Sequence, residues 1–184
     1  MVDQRALLTG DGVYTPDWEM PSEGESGRPV PLSLKLAESS QAVLVVHSFS
    51  LYSTGLRFSL HLQLKEGRQD PFILAELSEN WSELEESCIA AGEGLRWGLE
   101  VGATLIIDAR DAEGGYTGPV GEDGQPMLPV LTPGGGWGDE SQAVREFWLW
   151  GVSAERLAIF CEWPRFGIFF QKAAVPLPDR KNEL

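Results

Sequence analysis

Cysteine, histidine and positive charge are all scarce here: two cysteines, two histidines and 14 lysines plus arginines stand against 28 aspartates plus glutamates in 184 residues. Each scarcity closes off a class of function. Cys88 and Cys161 lie far apart in sequence and read as reduced thiols packed like small hydrophobes. A formal charge of −14 repels nucleic-acid phosphates and anionic lipid, and no basic cluster is larger than the Arg180-Lys181 pair. Neither nucleic acid nor membrane is therefore expected as a partner. No window approaches the apolar length of a membrane span. The opening MVDQRALLTGDGVY has no basic start followed by an apolar stretch, which leads to an expected cytoplasmic location. Asn80-Trp81-Ser82 and the terminal Lys-Asn-Glu-Leu resemble secretory-route motifs and, with no secretory signal, read as coincidences.

Catalytic signatures are equally thin. Gly92-x-Gly94-x-x-x-Gly98 has the wrong spacing for a dinucleotide loop, and Gly134-Gly135-Gly136 lacks the Lys-Ser/Thr pair of a phosphate cradle. No Gly-x-Ser-x-Gly elbow occurs, which disfavours nucleophilic hydrolysis. Asp108, Asp111 and Glu113 in DARDAEGG could hold a hard cation, but they lack EF-hand spacing and read more simply as a solvated hairpin tip. No cofactor and no metal is assigned.

What the chain does have is length enough for one core and a clear strand pattern, so residues 1–184 read as a single domain. Residues 1–31 form an irregular arm rich in Pro, Gly, Ser and Glu towards its end, with Trp18 and Met20 pinning it, and 175–184 form an extended tail. In GLRFSLHLQLKEG, Leu56, Phe58, Leu60, Leu62 and Leu64 alternate with polar residues, as a strand covered on one face requires. AVLVVHSFSLYS precedes it as an antiparallel partner. A Thr54-Gly55 turn, with Gly55 at positive φ, sets Leu51 against Phe58, Phe49 against Leu60 and Val45 against Leu64. That register turns His47 inward and His61 outward, too divergent for a two-histidine metal site.

Asp70-Pro71 then offers a helix start, and Leu74, Leu77, Trp81, Leu84 and Cys88 recur at steps of three and four. The resulting amphipathic helix presents Glu76, Glu79, Glu83 and Glu86 outward and ends at Gly92 and Gly94. GLRWGLEV and ATLIIDAR read as strands. The stretch 111–139 reads as a long Gly/Pro loop holding one candidate edge strand, Met127 to Leu131. Further strands follow in REFWLWGV and RLAIFCEW, with turns at Ala154-Glu155 and Pro164-Arg165. Both faces of these last two are apolar, Phe147 and Leu149 against Trp148 and Trp150 in the first, so both need cover, which the helix is expected to supply on one side.

Phe147-Trp148-Leu149-Trp150, the strand ending Glu162-Trp163-Pro164, the following Gly167-Ile168 and the earlier Gly134-Gly135-Gly136-Trp137 together resemble a pattern in an uncharacterised family of actinobacterial hypothetical proteins. The likeness spans about the C-terminal third. Its prolines between the two strands are replaced here by Gly151-Val152-Ser153-Ala154, and it implies no activity and no catalytic residue.

The expected fold is mainly β, an antiparallel β-sandwich with a jelly-roll arrangement as one option and one amphipathic helix packed on it. The leading expected function is non-enzymatic protein binding or assembly. Glu76, Glu79, Glu83 and Glu86 would form the acidic surface for a basic protein partner, with homo-oligomers also open. The alternative is a small-ligand or carbohydrate binder using Trp137, Trp148 and Trp150, and an acid-based hydrolase stands third.

Overall fold

The computed structural model describes residues 15–77, 92–102, 105–109, 116–152 and 156–178. Ten strands lie in them: β1 (Arg28–Pro29), β2 (Leu34–Glu38), β3 (Ala42–Leu51), β4 (Gly55–Leu64), β5 (Arg96–Val101), β6 (Leu105–Asp108), β7 (Val130–Gly138), β8 (Gln142–Trp150), β9 (Leu157–Trp163) and β10 (Ile168–Ala174). All pairings are antiparallel. A six-stranded sheet runs β1-β3-β4-β8-β7, with β2 beside β1 on the same edge of β3, and a four-stranded sheet runs β10-β9-β5-β6. The chain therefore lays a hairpin in the large sheet (β3–β4), one in the small sheet (β5–β6), and then repeats the alternation with β7–β8 and β9–β10. The two rounds meet at the central pairs β4–β8 and β5–β9.

One core joins the sheets. Trp97 of β5 packs edge-on against Phe147 of β8, with ring centroids 4.6 Å apart, and against Phe58 of β4 at 6.4 Å. Leu56, Phe58, Leu60, Leu62 and Leu64 all face this core, as their alternation predicts.

The β3–β4 register departs from expectation in two places. Tyr52 donates its N–H to the Gly55 carbonyl, so the turn is Ser53-Thr54. Gly55 is not at positive φ. It is there for space, since a Cβ would lie 2.4 Å from the Leu149 carbonyl and 2.5 Å from the Trp148 ring. Further along, a bulge shifts the pairing between His47 and Ser50, with Ser48 at φ 57°. An extra residue switches parity within a strand. Ala42, Leu44 and Val46 face the core before the bulge, and Phe49 and Leu51 after it. His47 is thereby turned outward beside His61, which overturns the expectation that the two diverge.

The amphipathic helix is not seen where it should start. Residues 71–74 form turns and Ala75–Leu77 a single 3-10 turn, while the rest of that expectation, with Trp81, Leu84 and Cys88, lies outside the described residues. Among the described residues no helix is long and apolar enough to cross a membrane. The expected long loop is also revised, because Val130–Gly138 is a full strand and Met127–Pro129 are not part of it. The arm contributes β1, and Val175 of the expected tail is buried, with its N–H bonded to the Leu157 carbonyl. The Ala154-Glu155 turn lies outside the described residues. The Pro164–Phe166 turn forms as expected, closed by Gly167 at φ 68°.

Candidate functional site

Paired residues of neighbouring strands share a face. On the outer face of the large sheet, one row runs Lys35, Val45, His61, Val144, Trp137 and the next runs Val43, Gln63, Gln142. Further along come Ser59 with Glu146, then Arg57, Trp148 and Thr132. All three tryptophans singled out from sequence lie on this one face. They do not form one platform. Trp137 stands beside Val144, six residues along β8 from Trp150, or about 20 Å in an extended strand.

The two ends of the face differ in cover. Over Trp148 lies the N-terminal arm: the Trp148 indole N–H donates to the Asp17 carbonyl at 3.0 Å, and the Thr132 hydroxyl donates to the Trp18 carbonyl at 3.1 Å. Glu25 grips the β3–β4 turn, accepting the Ser53 N–H and hydroxyl at 2.5 and 2.9 Å. Trp148 is left 4% exposed. At the other end Trp137 is 58% exposed. Its own strand flanks it with Gly134, Gly135 and Gly136, all exposed, and Glu146 projects from β8 close by. His47 and His61 meet edge to face at 5.8 Å, with His47 Nδ1 2.7 Å from the Ser48 hydroxyl.

Burial holds the His61 pKa below its ordinary 6.5, helped by the neighbouring His47, while the nearby Gln142 amide works the other way. Gln142 in turn bonds Asp139. Asp139 sits at about 2 because Ser141 and Gln142 donate to it. A cavity of about 750 Å3 adjoins this end, lined by Ser40, Val43, Gln63, Lys65, Arg68 and Ser141 among others. Among the described residues no group of three or more His, Cys, Asp or Glu is placed to hold a metal ion.

A second polar cluster is internal. Glu76 has no exposed surface and accepts the Leu95 N–H at 2.7 Å and the Trp163 indole N–H at 3.2 Å. Arg165 pairs with Asp70 and lies 3.9 Å from Glu76. Burial raises the Glu76 pKa, against those two hydrogen bonds. This cluster ties the 70–77 segment to the turn after β9, and Glu76 is thus a structural carboxylate with no outward face. The expectation of an exposed Glu76 is corrected accordingly. Its outward reading assumed helical spacing, and the 3-10 turn points the side chain the other way. Glu79, Glu83 and Glu86 lie outside the described residues. Trp150 is half-buried at the far end of β8.

Sequence reasoning places His47 on the wrong face and does not single out Gln142, Glu146 or the cavity. The parity switch from Val46 to Phe49 was the available signal for His47, since it turns that side chain to the face His61 already occupies. No protein-family model, curated protein or solved structure matches the chain.

Proposed function

We propose that this chain is a non-enzymatic binding module, a β-sandwich whose large sheet takes a basic protein partner on its outer face around Trp137. The observation that carries this reading is an indole 58% exposed on a sheet face, one row from Glu146, in a chain of charge −14. An exposed aromatic beside carboxylates suits a guanidinium or ammonium group, which gains from the ring face and from the opposite charge together. Basic groups at the surface are partly committed already: Glu38 holds Lys35 and Lys65, Glu162 holds Arg96 and Glu100 holds Lys172. Acidic groups therefore dominate the field a partner meets. Glu79, Glu83 and Glu86 remain part of the proposed acidic surface, carried on the proposed amphipathic helix, and Glu76 leaves it.

The test is retention of a basic and an acidic protein of equal size on the immobilised chain across a salt series. The basic protein should bind, and Glu146→Lys and Trp137→Ala should weaken it more than Glu23→Lys, a charge reversal of an exposed carboxylate on the arm. Equal losses from all three would reduce the interaction to net charge and sink the proposed surface. Reversal of Glu79 and Glu83 should also weaken the association and flatten its salt dependence.

A carbohydrate reading has one observation in its favour: Trp137 stands one row from Gln142 and Gln63, beside a cavity with hydroxyl, amide and charged lining. Tryptophan quenching by a sugar panel, lost in Trp137→Phe, would support it over the protein-binding reading.

A further inference from the structure

Sheet edges expose unpaired N–H and C=O groups, and folded proteins usually guard them with charge, brevity, proline or bulges. Three edges here are guarded in that way. The β1–β2 edge is broken in two and carries Arg28, Lys35 and Glu38. β6 has four residues and ends on Asp108. β10 has a bulge between Ile168 and Gln171 and carries Lys172. Among the described residues the fourth edge has a proline and a bulge too, but it is long and carries no charge, and its last three residues pair without interruption.

β7, VLTPGGGWG, is nine residues long and contains no charged side chain. Among the described residues β8 is its only strand neighbour. Pro133 and a bulge between Pro133 and Gly136 interrupt its first half. Beyond the bulge Gly136, Trp137 and Gly138 pair regularly with Arg145, Val144 and Ala143. A strand with one neighbour points every second residue's backbone groups away from the sheet. Glycines leave those groups unshaded at Gly135 and Gly136, both exposed, while the Gly134 carbonyl already accepts from Arg145 Nε at 3.3 Å.

We infer that this edge is a docking strand: an extended, Arg- or Lys-bearing segment of a partner protein adds to β7 along Gly134–Gly138, its backbone pairing with the strand and its cationic side chains reaching Trp137 and Glu146. This rests on the proposed basic-partner reading and specifies its geometry. Backbone pairing supplies register and alternate side chains supply selectivity. Charge decides between occupants. A second copy of this chain would bring another −14 against the first, whereas a basic segment is attracted. The glycines also explain why the indole is accessible, because no neighbouring side chain on its own strand competes for the space an incoming strand would fill.

Three short extended peptides test it: one alternating Arg with Val and Thr, its Glu counterpart, and the Arg peptide methylated at alternate backbone nitrogens. The Arg peptide should slow amide exchange at Gly134–Gly138 and shift the tryptophan emission, with the shift absent in Trp137→Phe. Methylation should cost about tenfold or more in affinity, the equivalent of one or two lost hydrogen bonds. Gly135→Lys, whose Cβ meets nothing within 4 Å, should weaken binding by a similar factor of about ten without lowering the melting temperature. If the methylated peptide binds as well as its parent, strand addition is wrong and the basic-partner reading stands. If the Glu peptide binds as well as the Arg peptide, the basic-partner reading is wrong too. Amide protection at Gly134–Gly138 by self-association of the free chain would likewise overturn the assignment, naming a second copy as the occupant.

Discussion

Trp148 and Trp137 occupy the same face of the same sheet on adjacent strands, yet one is 4% exposed and the other 58%. Their neighbours differ: Trp148 lies on an inner strand, edge-on to Tyr52 at 5.3 Å, while Trp137 lies on an edge strand among glycines. The arm adds to this, since its carbonyls at Asp17 and Trp18 bond the sheet at the Trp148 end and leave the Trp137 end open. An indole is structural or available according to its place in the sheet and to what a distant segment lays over it. The same holds for carboxylates, with Glu76 sealed inside a hydrogen-bonded cluster and Glu146 in solvent.

The sharpest way to break the comparison is substitution of the paired residues. Trp148→Ala should cost about 3–5 kcal/mol, the loss of a buried aromatic together with its contacts, whereas Trp137→Ala should stay within about 0.5 kcal/mol. Denaturant midpoints measure both, and equal losses would mean that the arm does not cover Trp148 in solution. Next in size, Glu76→Leu strands the Leu95 N–H and the Trp163 indole N–H and should cost about 2–3 kcal/mol, with Glu76→Gln, which keeps an acceptor, losing less. Glu146→Lys should leave the melting temperature nearly unchanged.

The smallest effect is the pH dependence. The fold favours neutral His61, so its pKa lies below the unfolded value of 6.5 and the unfolded chain takes up the proton first as pH falls. Its contribution is present above pH 6.5 and lost as pH drops through the lowered folded value. Glu38 and Asp139, each at about 2 against ordinary values of 4.5 and 3.8, add a later loss as pH falls below those figures. His61→Gln should remove the first decline and leave the second, as followed by stability measured across a pH series. Glu76 acts in the opposite direction, since its raised pKa means stability is lost as pH rises through it.

How much of this was legible follows from the kind of information each feature needs. The alternation from Leu56 to Leu64 states its own strand and buried face, and the Phe-Trp-Leu-Trp run states that β8 has two covered faces. Neither says what does the covering, and the helix was assigned a part that the arm plays over Trp148. The hairpin register needed the bulge at Ser48, visible only as a parity change, and a smooth alternation was assumed in its place. The glycines at 134–136 read as loop residues by propensity, yet they lie in an edge strand because β8 supplies the pairing that propensity cannot. Trp137 is a candidate from its residue type and its glycine-rich setting, while Gln142 and Glu146 join it only through cross-strand pairing.

The alternating order of hairpins bears on how the molecule could be divided. Both central pairs, β4 with β8 and β5 with β9, join an early strand to a late one, so a nick in the 116–129 stretch would give each fragment part of both sheets, four and two strands of the large one and two each of the small one, with an orphaned inner strand in each part. Such halves have no finished interior of their own, and their natural fate is mutual complementation: the chain is two interlocked rounds of one plan, cooperative because neither round closes without the other.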